Sequence, residues 1–343
     1  MKAFQLVAPG RTELLDVDVP EPQAGEVLLK VTGAGVCHSD LHLLHAQALP
    51  FPMTLGHEPA GEVVAAGPGV TGWAPGQRAL VYIVWGCGLC RACARGAENA
   101  CERFPRGQVP GPGLGLPGAM AEYVAVPART LVPLGDLDPV DAAPLTDAGL
   151  TPYHAISTAR DVLMPGSTAV VIGVGGLGHM ALQILRATAG GARVIAVDVD
   201  AAKLEAATGL GAHETLVSGP GTAAEILELT GGRGADAVFD FVGAEPTLAM
   251  AAVAVASYGR VTVVGLAGGS LAFPAAAPPQ GLPWGAAILK PYAGTRHDLH
   301  AVIALARSGK IEVTVERHPL ADAAQVLDRL EQGQIQGRAV LVS

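Results

Sequence analysis

Charge is scarce in this chain: Asp, Glu, Lys and Arg make up 15% of its 343 residues, and Lys and Arg nowhere gather into a run. A sequence without a basic stripe cannot track a phosphate backbone, and 31 acidic against 22 basic residues, a net charge of -9, would repel one. Nucleic acid is therefore not an expected partner. A long uninterrupted apolar run is also missing. The nearest approach, residues 168–185, is broken by glycines, His179 and Gln183, so no membrane span is expected. The first residues, Met1 to Gln5, enter an alternating strand pattern and carry no signal-peptide features, from which a cytoplasmic location is expected. Cysteine is sparse and odd in number, five in all, which argues against a disulfide framework and for thiolates that bind metal or do chemistry.

Apolar residues are abundant: half of the chain is hydrophobic, enough to build compact cores, and its length predicts two domains. Residues 1–147 read as short β-rich segments between turns, such as 27–31 and a strand starting near Glu62, punctuated by Pro68-Gly69 and Pro75-Gly76. From about residue 148 the rhythm changes to apolar strands alternating with amphipathic helices, at 168–172, 177–188, 194–198, 201–208, 237–241 and 261–264. That alternation predicts a doubly wound parallel sheet. After about residue 288 the chain reverts to turns, a helix over 297–308 and a last strand over 338–342. The expected fold is α/β: an irregular β-rich catalytic domain, 1–147 with 288–343, and an inserted Rossmann domain, 148–287, with a cleft between them. Residues 272–283, rich in Pro and Ala, read as an ordered loop.

The inserted domain opens with Gly173-Val174-Gly175-Gly176-Leu177-Gly178, a G-x-G-x-x-G match. In a sequence with 45 glycines the pattern alone is weak. Its context is not: an apolar strand runs into it and an amphipathic helix follows, so the backbone of these residues, Leu177 included, can approach a pyrophosphate at the positive helix end. Asp198, at the end of the next strand, suits the adenosine ribose hydroxyls and repels a 2′-phosphate, which favours NAD over NADP. Lys203 adds a second contact to the ribose. The alternative is that these glycines serve only helix–sheet packing.

Two groups of metal-binding residue types stand in the first domain. Cys87, Cys90, Cys93 and Cys101 can close a tetrahedron around Zn2+ from one loop, a structural site with no open position. The fifth cysteine, Cys37, lies in Gly-Val-Cys-His-Ser-Asp (35–40), and His57 and Glu58 follow in Gly-His-Glu (56–58). A catalytic zinc needs three protein ligands; a thiolate and an imidazole supply two, and spacing leaves the third open among many acids. Singly, Cys37 also reads as a small buried hydrophobe, His57 as a turn residue and Asp147 as a helix cap.

Together with Asp-Ala-Gly-Leu-Thr-Pro-Tyr-His-Ala (147–155) and the glycine fingerprint, these motifs resemble the zinc-containing medium-chain alcohol dehydrogenases along essentially the whole chain. The likeness is greatest to bacterial, especially actinobacterial, NAD-dependent secondary alcohol dehydrogenases. The resemblance implies a GroES-like catalytic domain, two zinc ions per chain, NAD, and an alcohol or ketone substrate. It implies Cys37, His57 and Asp147 as catalytic zinc ligands, Glu58 as a carboxylate close to the metal and Asp40 as the group orienting His57. It places Ser39 and His42 in a proton relay, His38 near the cofactor phosphates and Arg338 on the pyrophosphate. Trp85, Leu114, Tyr292 and Ala293 become substrate-pocket walls. A short Cys37–His57 interval and the small Ala293 are expected to widen that pocket for bulky secondary alcohols and aryl ketones. A homo-oligomer, dimer or tetramer, is expected. The alternatives are a polyol or threonine dehydrogenase of the same fold, or a non-enzymatic zinc- and nucleotide-binding protein. A metal-free quinone reductase is disfavoured by the four-cysteine loop and by Cys37 with His57.

Overall fold

The computed structural model describes residues 1–46, 50–104, 108–272, 274–278 and 281–343. The chain divides into two compact units: Met1–Leu150 with Thr295–Arg307 and Val313–Ser343, and Thr151–Gly294 with Ser308–Glu312. The return to the first unit comes at Thr295 rather than at the expected residue 288. The reason is the short strand Ala287–Leu289, which pairs in parallel with Val255–Val263 and so remains with the second unit. Part of the Cys37–His57 interval and part of the loop 272–283 lie outside the described residues.

The first unit is built on the strand Glu26–Val36. One neighbour, antiparallel, is Glu58–Ala66, with Gly35 opposite Glu58; another is Arg338–Val342, with Ala339 opposite Val36. The alternation expected at 27–31 holds: Val27, Leu29 and Val31 are buried and pack with Phe4, Leu55, Val63, Val124 and Leu341 in one core. Glu58–Ala66 starts four residues earlier than expected. The turn before it is made at Gly56, whose φ of 97° only glycine adopts easily, so strand pairing begins directly after His57. Three chain segments therefore meet at one end of this sheet, carrying Cys37, His57 with Glu58, and Arg338.

The second unit holds a six-stranded parallel sheet in the order Glu214–Val217, Arg193–Asp198, Thr168–Ile172, Ala235–Asp240, Val255–Val263, Ala287–Leu289. Thr168–Ile172 is buried along its whole length, as a central strand covered on both faces should be. The order reverses between Thr168–Ile172 and Ala235–Asp240, and ligands of such sheets bind at the carboxyl ends of the strands where that happens. The fingerprint glycines lead from Thr168–Ile172 into the helix Gly178–Thr188. In the first unit, Arg296–Arg307 forms the expected late helix. Among the described residues no helix is long and apolar enough to cross a membrane.

Candidate active site

Cys37 ends the strand Glu26–Val36 and caps the helix His38–Leu44. Asp40, one turn into that helix and fully buried, accepts the Cys37 amide proton at 2.9 Å through Oδ2, while its Oδ1 lies 3.4 Å from Nδ1 of His57. One carboxylate thus fixes the positions of two other side chains. Asp147, which follows the short helical turn Ala143–Thr146, brings Oδ2 to 3.3 Å from Cys37 Sγ and 3.7 Å from His57 Nε2. Tetrahedral zinc with bonds of 2.0–2.3 Å would separate such ligand atoms by about 3.3–3.6 Å. Glu58 joins the group, and one ligand atom from each of Cys37, His57, Glu58 and Asp147 lies within 4.8 Å of all the others.

The electrostatics of this cluster suit a bound cation. Asp40, Glu58 and Asp147 are three carboxylates at most 9% exposed, and they face one buried guanidinium, that of Arg338. Three buried carboxylates around one guanidinium are costly if all are ionised, and without a metal the balance is made by protons, which a bound cation would replace. Burial pushes the Glu58 carboxyl up to about 8, against the pull of Arg338. Burial opposes a charge on His57, yet Asp40 and Asp147 turn the balance and raise its pKa well above the usual histidine range. Neither ring nitrogen of His57 has a hydrogen-bond partner among the described residues. Gly35 is required here, because a side chain on it would overlap the Glu58 carboxylate.

The four remaining cysteines form the second cluster, also within 4.8 Å of one another. Cys87 and Cys93 are 4.0 Å apart and Cys90 and Cys101 3.8 Å, close to the roughly 3.8 Å edge of a tetrahedron with 2.3 Å Zn–S bonds. Backbone amides point at the sulfurs: those of Leu89 and Cys90 at Cys87, those of Cys93 and Glu102 at Cys90, and that of Cys87 at Cys101. These donors favour thiolate, and the Cys93 and Glu102 amides bring Cys90 down to about 6. Burial pushes Cys93 up to about 12.

In the second unit Gly173 has φ 86°, and a side chain on Gly178 would overlap the Gly173 carbonyl, so these two glycines are needed for the turn itself. Gly175 has open space where a side chain would be, leaving its backbone open to a ligand's approach. Asp198 is buried at the end of its strand. It accepts the Val174 amide proton at 2.6 Å and that of Asp200 at 3.0 Å, tying the strand end to the glycine loop, and a carboxylate retains further lone pairs for hydroxyl donors.

Residues 23–136 match the model of the alcohol dehydrogenase GroES-like domain and residues 176–308 that of the zinc-binding dehydrogenases. The chain is 37% identical to an NAD-dependent alcohol dehydrogenase of Sulfurisphaera tokodaii over the full length of both. It belongs to the zinc-binding alcohol dehydrogenases. Among solved structures it is similar to the alcohol dehydrogenase of the archaeon Aeropyrum pernix, at 35% identity and a TM-score of 0.92 with both chains covered completely. It is also similar to an acetophenone reductase of Geotrichum candidum in complex with NAD, at 34% identity and a TM-score of 0.87, covering 100% of this chain and 97% of that one. As a member of this family the dehydrogenase is an oxidoreductase with zinc and NAD as cofactors.

Other residues singled out in the sequence are placed unevenly. Ser39 is half-buried, with Oγ 3.8 Å from Cys37 Sγ, and His42 lies three residues further along the same helix and is exposed, as is His38. Lys203 is half-buried in the helix Ala201–Leu210. The Arg338 guanidinium, expected at a pyrophosphate, is buried on the Glu58 carboxylate, with Asp147 at 3.8 Å, and this contact leaves further donors of the guanidinium free of Glu58. Burial works against its charge, and Glu58, Cys37 and Asp147 more than offset that. No local pattern in the sequence marks this pairing, since the partners are 280 residues apart. Trp85 donates its indole proton to the Tyr82 carbonyl at 2.9 Å and packs on the core of the first unit; Leu114, in the same unit, is half-buried. Tyr292 and Ala293 belong to the second unit. Tyr292 is 38% exposed, while Ala293 is buried with φ 45°, so bulk cannot be added at 293 without backbone strain.

Proposed function

We propose that this dehydrogenase oxidises secondary alcohols with NAD and runs in reverse as a ketone reductase, with Cys37, His57 and Asp147 holding a catalytic zinc. The observation that carries the reading is the convergence of a thiol, a carboxylate and an imidazole with no hydrogen-bond partner among the described residues, beside two further buried carboxylates. Bound there, zinc would supply Lewis-acid polarisation of an alcohol oxygen and NAD would supply the hydride acceptor. Cys87, Cys90, Cys93 and Cys101 hold a second, structural zinc, making two ions per chain. Four such thiols stay reduced in the cytoplasm, the location we assign.

The chain's own side chains do the rest. Asp40 orients His57, and Glu58, restrained by Arg338, stays close to the ligands as a neighbouring carboxylate. Ser39 and His42 lie on one face of a helix, three residues apart, and lead from the buried Cys37 to an exposed ring; this supports a path that carries the alcohol proton outward. Gly173, Gly175, Gly176, Leu177 and Gly178 would hold NAD, with Asp198 and Lys203 assigned to its ribose and His38 to its phosphates. Trp85 and Leu114 in the first unit, and Tyr292 and Ala293 in the second, are the residues we assign to substrate contact. The likeness to an acetophenone reductase supports bulky ketones as substrates. We assign a homo-oligomeric state, supported by exposed Tyr258, Trp284 and Ile288 around the edge strand Ala287–Leu289. The test is NADH formation, followed by absorbance, against primary, secondary and polyhydric alcohols. Secondary alcohols should give the highest kcat/KM; a preference for ethanol over 2-butanol, or for polyols, would refute the assignment.

A further inference from the structure

The second unit contains a buried carboxylate that the reaction described above does not use. Asp240 ends the strand Ala235–Asp240, in register with Ile172, the residue directly before the glycine loop. It is 0% exposed, and no ion pair involves it among the described residues. Its charge is held by hydrogen bonds alone. Oδ1 accepts the amide protons of Val242 at 2.8 Å and Gly243 at 2.9 Å, and Oδ2 accepts the Thr247 hydroxyl at 2.8 Å. The Asp240 carbonyl in turn accepts the amides of Val264, at 2.8 Å, and Gly265, at 3.1 Å. Thr247 extends the network by accepting the Ala244 amide at 3.0 Å, at the start of the helix Glu245–Ala254.

What this network fixes is the place of Val242. A Cβ on Gly173 would come within 2.7 Å of Val242 Cγ2, so the valine fills the space above the first glycine of the fingerprint. Gly243, with φ 71°, and Gly265 allow the two loops to pack this closely. A buried carboxylate without a cation is expensive, and charge-assisted bonds are about twice as strong as neutral ones. The result is a stiff loop at the point where the strand order reverses, which is where a nucleotide enters a sheet of this kind.

We propose that Asp240, through Thr247 and Val242, is a positioning residue for NAD: it holds the loop 241–243 so that the crevice beside the glycine loop is formed before the cofactor arrives. The proposal rests on the glycine loop as the seat of NAD. The holoenzyme and its Asp240→Asn, Thr247→Val and Ile226→Ala variants would be titrated with NADH by fluorescence, with unfolding temperatures and KM values measured alongside. Asp240→Asn should weaken NADH binding about tenfold and Thr247→Val about threefold. KM for NAD should rise accordingly, while KM for the alcohol and the zinc content stay unchanged. Ile226, fully buried in the core of the same unit, is the control: its truncation should lower the unfolding temperature and leave NADH affinity within about twofold of the parent. Parental affinity in both loop variants, or an equal loss in Ile226→Ala, would overturn the proposal; if Asp240→Asn does not fold, Thr247→Val decides. Failure of the parent enzyme to bind NADH would instead overturn the glycine-loop reading.

Discussion

The two thiol-containing clusters are built in opposite ways. Cys87 to Cys101 draws four like ligands from one stretch whose ends are 14 residues apart, on a loop that leaves Leu89 86% exposed. Its sulfurs are surrounded by backbone amides, which would be in place for any chain folded along that path. The other cluster gathers unlike, largely buried groups across long separations, 110 residues from Cys37 to Asp147 and 280 from Glu58 to Arg338. Its surroundings are charged side chains rather than amides. The first arrangement suits a metal that staples a loop; the second suits a metal whose charge is needed and whose coordination is left incomplete.

Breaking the second cluster should have the largest effect on activity. His57→Ala removes a ligand, and with it Lewis-acid polarisation worth several kcal/mol, so kcat/KM should fall on the order of 1,000-fold or more. Zinc content should fall from two to one per chain in the same sample, as measured by elemental analysis. Activity within about tenfold of the parent would show that the imidazole is not a ligand.

Breaking the first cluster should act on stability instead. Cys90→Ser should lower the unfolding temperature on the order of 10 °C, because structural metal binding is coupled to folding. The turnover of the molecules that remain folded, counted by active-site titration, should be nearly unchanged. A full loss of turnover with an unshifted unfolding temperature would reverse the roles assigned to the two clusters.

Legibility in the sequence follows the same contrast. The four-cysteine cluster could be read from spacing because its geometry is local. The strand Thr168–Ile172 and the helix after it were readable for a similar reason, since apolar periodicity and glycine position are properties of neighbours. The third ligand proposed for the buried cluster was not: no spacing rule selects Asp147 from 31 acidic residues, and only a family resemblance pointed to it. The strand beginning at Glu58 was expected four residues late because Glu-Pro-Ala-Gly lacks a β signature; antiparallel pairing with Glu26–Val36 imposes it from outside. Arg338 was expected at a pyrophosphate, and its burial on Glu58 depends on the register between three strands. Asp240 carried no signal at all, being one acid at the end of one strand.

A smaller effect sharpens the comparison through pH. In protein stripped of metal, Glu58 and His57 both have raised pKa values, so folding favours their protonated forms. Their contribution to stability is present below the unfolded-state values, near 4.3 for Glu and 6.5 for His, and is lost as pH rises through the folded-state values, about 8 for Glu58. The unfolding temperature of the stripped protein should therefore decline between about pH 5 and 8. Zinc-loaded protein should show less of this decline, because the metal takes the place of the protons. Glu58→Gln should flatten the slope in stripped protein; an unchanged slope would remove Glu58 from the account.

The most direct test of two clusters with two roles is metal release followed against activity. Purified protein should contain two zinc ions per chain. On dialysis against a chelator, one should leave together with activity, and returning one equivalent of zinc should restore it. The other ion should stay until the loop carrying Cys87, Cys90, Cys93 and Cys101 is denatured. Full activity with a single zinc per chain, or release of both ions in one step with no intermediate of one zinc and no activity, would contradict the account.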